Sequence, residues 1–176
     1  SEVITVDPTD PDADAATLAA GIALAGADGA VLAGDSDYVE SPTLTDRQML
    51  VGLGHTCVKH TINATGERNT IIHMFVEWLD AEANPDTAFD CTGTRCEILE
   101  PHVDIQDTMG NDVYGIHAQT GTVHIYGGQI IAESITSAYA VYVEAGAAVY
   151  LHNLPTLDGT TAVKGGAGNL YGAYRD

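Results

Sequence analysis

The chain has 176 residues and a mass of 18.4 kDa, which is the size of one domain. It carries 25 Asp and Glu residues against 6 Lys and Arg, a formal net charge of −19, so we expect neither nucleic acid nor an anionic membrane surface as a partner. Apolar residues make up 45% of the chain, as in an ordinary globular protein, and no apolar run is long enough to predict a membrane-spanning helix.

The negative charge is spread along the chain from Glu2 to Asp176, and only two residues, Lys59 and Lys164, are lysines. An acidic, lysine-poor composition is typical of proteins that work in concentrated salt, where repulsion between carboxylates is screened and the charge keeps the protein soluble. We therefore expect a high-salt environment, with an ordinary acidic protein as the alternative. We expect no cofactor other than cations bound from the salt.

The first 28 residues predict one strand and one helix. The sequence Val-Ile-Thr-Val at 3–6 is typical of a short strand. An Asp- and Pro-rich turn follows, and Asp12 or Asp14 is placed to cap the N-terminus of a helix over 15–25. We expect this helix to cover one end of a single domain whose stacked coils occupy residues 29–174.

Beyond residue 28 the pattern changes to short apolar segments separated by Gly, Asn, Asp and Thr. These segments predict strands at 29–33, 48–52, 58–62 and 71–76, followed by a polar loop over 80–88.

The C-terminal half repeats at intervals of about 22–27 residues, which is typical of a β-solenoid; a sandwich of evenly spaced strands is the alternative. Each repeat has an apolar triplet, a turn that contains Gly, and a second short strand. The triplets predict inward-facing Phe89, Ile116, Val141 and Val163, each followed by an outward-facing residue, Asp90, His117, Tyr142 and Lys164. The second strands begin at Cys96, Val123 and Val149.

The segment that follows the predicted helix carries a family resemblance. Residues 26–38 read Gly-Ala-Asp-Gly-Ala-Val-Leu-Ala-Gly-Asp-Ser-Asp-Tyr, and Ser41-Pro42-Thr43-Leu44 and a Met-Leu-Val-Gly-Leu-Gly run at 49–54 come next. This segment resembles the opening of pectin-lyase-like right-handed β-helices, which has a helix, a Gly-rich strand, a Pro-Leu strand and a Leu-Gly turn in this order. The resemblance implies an all-β, right-handed parallel β-helix with a short N-terminal capping helix. This fold serves lyases, hydrolases, viral tailspikes and inert virion parts alike, so it does not specify a function.

Equivalent positions of stacked coils form ladders with steps of about 4.8 Å, so outward-facing residues make continuous rows. Six of the eight tyrosines lie after residue 125. Tyrosine serves both sugar stacking and subunit contacts, and both interpretations stay open here. The candidate residues for contact with a glycan or with another subunit are His117, Tyr142, His124, Tyr150, Tyr126 and His152.

Catalytic sites are weakly indicated. Asp90 with Glu97, or Asp104 with Asp107, are candidate glycosidase pairs, but such pairs arise by chance among 25 carboxylates. We therefore predict no catalytic residue.

The sequence does not single out a metal site or a disulfide. A run of alternating aspartates at 10–14 lacks the glycine and glutamate of a calcium loop, and capping and solvation explain it better. The candidate metal ligands are His55 with His60, or His102 with Asp104, and these histidines are more readily interpreted as structural. Cys91 and Cys96 either pair across a turn or are buried thiols.

The last predicted repeat ends near Tyr174 without a predicted capping helix, and an uncovered coil needs a partner. We expect a homotrimer, as in viral spikes, with further contacts to capsid or tail proteins. A salt-adapted β-helix without a signal peptide or a catalytic set is similar to a turret, spike or fibre protein of a tailed virus of halophilic archaea, exposed on the virion and contacting host surface glycan. The alternative is an extracellular polysaccharide lyase, glycoside hydrolase or carbohydrate-binding module of a halophile.

The charge generates a first prediction. Transfer from molar NaCl to about 0.1 M NaCl lengthens the Debye length from about 3 Å to about 10 Å, so repulsion among the carboxylates returns. We expect the melting temperature, followed by circular dichroism, to fall over this range. A melting temperature that does not change with salt contradicts the high-salt interpretation.

Overall fold

The structure is a computed structural model that describes residues 2–79 and 87–176. It confirms the predicted fold class, because the chain forms a parallel β-helix of about six coils with one short helix near the N-terminus. Each coil supplies one strand to each of three sheets. Neighbouring strands of a sheet therefore come from successive coils, and every strand pairing is parallel.

Strands are numbered in chain order. Sheet 1 consists of β1 (Val3–Val6), β2 (Ala30–Ala33), β5 (Met49–Gly52), β8 (Asn69–Ile72), β11 (Arg95–Leu99), β14 (Thr122–Tyr126), β17 (Ala148–His152) and β20 (Asn169–Tyr171). Sheet 2 consists of β3 (Asp37–Tyr38), β6 (Cys57–Val58), β9 (Phe75–Leu79), β12 (His102–Asp107), β15 (Gln129–Ser134) and β18 (Thr156–Gly159). Sheet 3 consists of β4 (Thr43–Leu44), β7 (Ile62–Ala64), β10 (Thr87–Cys91), β13 (Asp112–Ala118), β16 (Ser137–Val143) and β19 (Ala162–Gly165).

The core is built from ladders of inward-facing side chains. Alternate residues of a strand point into the coil, and the parallel register places each of them on its equivalent in the next coil. One ladder of sheet 1 is aliphatic throughout and consists of Ile4, Val31, Leu50, Ile71, Ile98, Ile125 and Leu151. Burying each such side chain contributes about 1.5–3 kcal/mol, so these ladders hold the coils together.

The helix is shorter than predicted. It is α1, Leu18–Ala25, and Thr17 rather than Asp12 or Asp14 is its N-cap, accepting a hydrogen bond from the N–H of Ala20 at 3.2 Å. The Asp14 carboxylate instead accepts hydrogen bonds from the N–H and hydroxyl of Thr5, both at 2.8 Å. This long-range contact holds residue 14 against β1, so the helix begins three residues later than the sequence pattern predicts.

A second acidic group completes this end of the helix. Glu40 accepts hydrogen bonds from the N–H groups of Leu18 and Ala19 at 2.7 and 2.9 Å. These donors have no partner inside a helix, and a carboxylate there also complements the helix dipole. The side chains of Leu18 and Ile22 are buried beneath α1, which therefore covers the N-terminal part of the core as expected.

The predicted register holds for three of the four triplets. Phe89, Ile116 and Val141 are buried and pair with one another. In the last coil Val163 is half-buried and packs against the core as predicted, but the pairing is shifted by one residue, because Lys164 rather than Val163 pairs with Val141. Gly165 then follows Tyr142 in the outward ladder, where a Cβ atom would lie 2.6 Å from Cδ2 of Tyr142. Only glycine fits beneath that ring, which explains the shift.

Two predicted strands are each divided by a corner. The segment 58–62 contributes to both β6 and β7, and the segment 71–76 to both β8 and β9. The second corner contains His73 with a φ of 53°, a left-handed conformation that ends a strand. Of the predicted loop 80–88, Thr87 and Ala88 belong to β10, and 80–86 lie outside the described residues.

Cys57, Cys91 and Cys96 are free thiols and all are buried, so the buried-thiol alternative is correct in this structure. A hydrogen bond with Cys96, together with burial, raises the pKa of Cys91 well above its ordinary value. Among the described residues, no helix is long and apolar enough to cross a bilayer.

The inward register generates a second prediction. Val123→Asp places a carboxylate in the core without a partner, which costs more than about 3 kcal/mol and lowers the melting temperature by roughly 10 °C. The matched control is Thr122→Asp, because Thr122 is the adjacent outward-facing residue and is half-buried. Thermal unfolding followed by circular dichroism measures both variants. Equal melting temperatures for the two variants contradict the register.

Candidate binding surfaces on the outer faces of the coils

The structure divides the six predicted contact residues between two faces of the β-helix. His124, Tyr126, Tyr150 and His152 lie on the outer face of sheet 1. His117 and Tyr142 lie on the outer face of sheet 3. All six are half-buried. The residues therefore form two separate surfaces, and each has to be assessed on its own geometry.

The rings of sheet 1 are stacked along the helix axis. The ring centroids of His124 and Tyr150 are 4.9 Å apart with planes inclined by 13°, and those of Tyr126 and His152 are 4.4 Å apart at 13°. Tyr171 extends the first stack beyond Tyr150 at 5.0 Å and 20°. Because each ring face is covered by the next coil, mainly ring edges point outward from this sheet.

A pair of histidines lies within the stacks. Nδ1 of His124 is 3.1 Å from Nε2 of His152, so one nitrogen donates a hydrogen bond and the other accepts it. Burial lowers the pKa of His124, and the positive charges of Arg95 and of a protonated His152 lower it further. The surroundings of His124 therefore favour its neutral imidazole.

The outer face of sheet 1 is almost free of charge. Its only charged residues are Arg95 and Glu97, which form a salt bridge with each other, Nε of Arg95 lying 3.0 Å from Oε1 of Glu97. We call this surface the neutral face; it comprises Val3, Thr5, Ala30, Leu32, Met49, Val51, Thr70, Ile72, Arg95, Glu97, Leu99, Thr122, His124, Tyr126, Ala148, Tyr150, His152, Asn169 and Tyr171. Acidic residues lie instead on the other strands' outer faces, among them Asp37, Glu77, Asp104, Glu133 and Asp158 on sheet 2 and Asp90 and Asp112 on sheet 3.

The outer face of sheet 3 carries a polar and aromatic group that we call the tyrosine cluster. It consists of Asp90, Tyr114, His117, Tyr139, Tyr142 and Glu144. His117 lies between two carboxylates, with Nδ1 3.5 Å from Asp90 and Nε2 3.2 Å from Glu144. Gln119 donates a further hydrogen bond to Asp90 at 2.7 Å. These contacts fix the imidazole and both acids in one arrangement.

The rings of the tyrosine cluster are arranged differently from those of sheet 1. Tyr142 meets Tyr114 at 4.6 Å with an angle of 46°, and Tyr139 at 5.5 Å edge-to-face with an angle of 67°. Tyr114 and Tyr139 are stacked on one another at 6.2 Å and 21°, so it is Tyr142 that is tilted against both neighbours. This surface therefore combines aromatic rings with hydroxyl and carboxylate oxygens.

Tyr114 and Tyr139 were missed as contact residues from the sequence. Each lies two residues before an inward-facing residue, Ile116 or Val141, and the two pair in the sheet. The repeat that identified Ile116 and Val141 therefore also contained the signal for these tyrosines. Glu144 follows the end of β16 and had no such signal.

The structure does not bring together the predicted acid pairs. Asp90 lies on sheet 3 and Glu97 on sheet 1, where Glu97 is bound to Arg95. Asp107 is buried and accepts hydrogen bonds from the N–H groups of Gly110 and Asn111, whereas Asp104 points outward from the same strand. Burial alone raises the pKa of Asp107, but the hydrogen bonds outweigh it and hold the pKa below its ordinary value.

Two of the histidines considered as metal ligands meet on sheet 2. Oε1 of Glu77 is 3.5 Å from Nε2 of His55 and 3.7 Å from Nε2 of His102, and Lys59 lies 3.9 Å from the other oxygen. In the aspartate run at 10–14, the side chain of Asp10 accepts a hydrogen bond from the N–H of Asp12, as in a turn. Within residues 2–79 and 87–176, no group of three or more His, Cys, Asp or Glu side chains is placed to hold a metal ion.

A shallow groove of about 380 Å³ lies between α1 and the strand β4. Ala19, Ile22, Gly26 and Ser41 are among its lining residues, none of which is titratable. Gln48 lies in its wall and donates hydrogen bonds to the carbonyl groups of Ile22 and Gly26 at 3.0 and 2.8 Å. The groove therefore has the character of a packing seam beneath the helix rather than that of a catalytic cleft.

Comparisons of the chain with protein-family models, with curated proteins and with solved structures found no match. The parallel β-helix is therefore supported by the structure itself. The relation to pectin-lyase-like proteins and to viral proteins stays a resemblance on the motifs quoted above.

The histidine pair generates a third prediction. The native pKa of His124 lies below its ordinary value of about 6.5, so the unfolded chain takes up a proton first and stability falls as the pH drops below about 6.5. We expect His124→Gln to reduce the loss of melting temperature between pH 7.5 and pH 5. The control is His55→Gln, an exposed histidine in the turn before β6. Identical pH profiles for wild type and His124→Gln contradict this account.

Proposed function

We propose that the protein is a non-catalytic structural and attachment domain, a turret, spike or fibre component on the virion of a virus of halophilic archaea. In this proposal it is a homotrimer, contacts other capsid or tail proteins, and binds host surface glycan through the tyrosine cluster. The observation that carries the proposal is the combination, on one outer face, of three neighbouring tyrosine rings with an imidazole held between two carboxylates.

Carbohydrates present apolar C–H faces and rows of hydroxyl groups. Aromatic rings pack against the former, and carboxylate, imidazole and phenol groups bind the latter. Tyr139 and Tyr142 supply ring surface, while Asp90 and Glu144 supply acceptor oxygens whose positions are fixed by His117. Groups that are held in place before binding lose less conformational entropy when the ligand arrives. The tyrosine cluster therefore has the chemistry of a sugar-binding surface.

The charge of the cluster predicts which glycan it takes. Its two carboxylates, on a chain of net charge −19, repel uronate and sulfate groups. They accept hydrogen bonds from neutral hydroxyl groups, and this interaction survives in molar salt because it is short-ranged. The proposal therefore specifies a neutral sugar within the host surface glycan.

The non-catalytic part of the proposal is supported by the state of the carboxylates. A glycosidase needs one carboxyl with a raised pKa to act as general acid. Among the residues that the structure describes, the carboxyls whose pKa values are shifted, Asp7, Asp14, Asp28 and Asp107, are shifted downward by hydrogen bonds or an arginine. Such groups are poor proton donors near neutral pH.

The virion and the trimer rest on the fold and the charge taken together. A parallel β-helix exposes strand edges at its ends, which stacked or packed partners cover. The acidic surface fits a particle that meets concentrated salt directly. The trimer is thus inferred from the fold and the virion from the composition, and the binding experiment tests the attachment role.

The fourth prediction tests glycan binding. Wild-type protein in molar NaCl should bind host envelope fractions and neutral glycans on an array. The double variant Tyr139→Ala and Tyr142→Ala should lose at least about tenfold in affinity, since two stacked rings contribute on the order of 1.4 kcal/mol or more. The matched control is Tyr150→Ala, an outward-facing tyrosine of sheet 1.

Two results contradict the proposal. One is equal binding by the double variant and the wild type. The other is release of reducing ends from the envelope glycan that stops in Asp90→Asn or Glu97→Gln, which would establish the enzyme alternative.

A further inference from the structure

We infer that the neutral face of sheet 1 is the surface through which copies of this chain pack against one another. The inference rests on the homotrimer of the proposed function and assigns its contact surface. It separates the two outer faces by role, with sheet 1 between subunits and sheet 3 turned towards the ligand.

The first argument is the distribution of charge. Two copies that each carry −19 repel one another wherever their acidic surfaces meet. The neutral face spans all eight strands of sheet 1, and its only charges, Arg95 and Glu97, neutralise each other. It is therefore the broad sheet surface on which a second copy of this chain meets no net repulsion.

The second argument is the composition of the face. Leu32, Val51, Ile72, Leu99 and Tyr126 form one unbroken outward ladder across five coils. These side chains are half-buried in the single chain, so apolar surface stays in contact with water. Contiguous apolar surface rimmed by polar groups marks interaction sites.

The rim has that polar character. Along one edge of the face, Arg47 bridges two acids from neighbouring coils, binding Asp28 and lying 3.1 Å from Glu67 through Nη1. These side chains are exposed, and they are already paired with one another. The edge of the face at the N-terminal ends of the strands therefore presents charges that are already paired.

The third argument is the orientation of the rings. The stacks of sheet 1 have their faces covered by the neighbouring coil, so a sugar finds little open ring face there. Ring edges and aliphatic side chains pack well against the same kinds of groups on another protein surface. The neutral face is thus better suited to a second copy than to a glycan.

The size of the face sets the strength of the contact. Seven strand spacings of about 4.8 Å and two or three outward residues per strand give a face about 34 Å long and roughly 7 to 13 Å wide. This is at most about half the area per partner of a standard stable interface before the rim is counted. Association should therefore depend on concentration, and it should strengthen with salt because repulsion is screened and apolar contacts are favoured.

The fifth prediction tests this assignment by sedimentation equilibrium in molar NaCl. The wild type should form a concentration-dependent oligomer, and Leu99→Lys, which places a charge in the middle of the apolar ladder, should shift the mass to the 18.4 kDa monomer. The matched control is Ile131→Lys, a half-buried outward aliphatic residue on sheet 2 between Asp104 and Asp158. Ile72→Lys provides a second test within the neutral face, and circular dichroism verifies that each variant is folded.

The expected pattern is dissociation of Leu99→Lys and Ile72→Lys with retention of the oligomer in Ile131→Lys. A monomeric wild type at all concentrations overturns the inference, and so does dissociation of the three variants to the same degree. Loss of glycan binding in Leu99→Lys with no change of mass also overturns it, because the face would then belong to the ligand. An oligomer other than a trimer that shows the expected pattern supports the face and contradicts only the stoichiometry. The outcome of the glycan-binding assay on the Tyr139→Ala and Tyr142→Ala double variant does not depend on the outcome of this sedimentation experiment.

Discussion

The structure depends on parallel pairing in register between successive coils. Each residue of a strand lies about 4.8 Å from its equivalent in the next coil, so every side chain has its own counterpart as a neighbour. Inside the coil this builds continuous aliphatic ladders such as that through Ile71, Ile98 and Ile125. Outside the coil the same rule stacks rings on rings and brings charges close together. The character of each outer face therefore follows from one outward position repeated along the axis.

In a chain with a net charge of −19, this pairing brings carboxylates of successive coils close together, where they repel one another. Glu77 pairs with Asp104 on the outer face of sheet 2, and Lys59 lies beside Glu77 and offsets the repulsion. Sheet 1 avoids the problem because its outward residues are uncharged, apart from one internal ion pair. Among the described residues, the acidic side chains other than Glu97 thus lie outside this face. On the proposed assignment, screening of the charged surfaces in concentrated salt lets the neutral face pack against a second copy.

The repeat in the sequence was sufficient to predict the coils, because inward positions recur in every one of them. Phe89, Ile116 and Val141 occupy the predicted core positions. The ring residues of sheet 1 face outward, as predicted. The six contact residues fall on two ladders, as the repeat places them, but the tilt of the rings was not predicted, since a one-dimensional repeat does not reveal it. That tilt separates the stacked His124 and Tyr150 from the tilted Tyr142.

The errors have long-range causes. The start of the helix depends on Asp14 binding Thr5 nine residues earlier, and on Glu40 binding the helix N-terminus from another coil. The shift at Lys164 depends on rings of the preceding coil that lean over Gly165. Local propensity contains none of these contacts. Prediction therefore fails where a side chain from a different coil determines the backbone.

The division of roles between the two outer faces is the central claim, and hydroxyl-radical footprinting of the assembled protein in molar NaCl tests it most directly. Tyr150 and Tyr142 are both half-buried in the single chain, so they should label to similar extents if neither face is covered. The account predicts that Tyr126 and Tyr150 are protected in the assembly, while Tyr139 and Tyr142 stay reactive until a neutral glycan is added. Equal labelling of the two faces, or protection of Tyr150 by glycan alone, would contradict it.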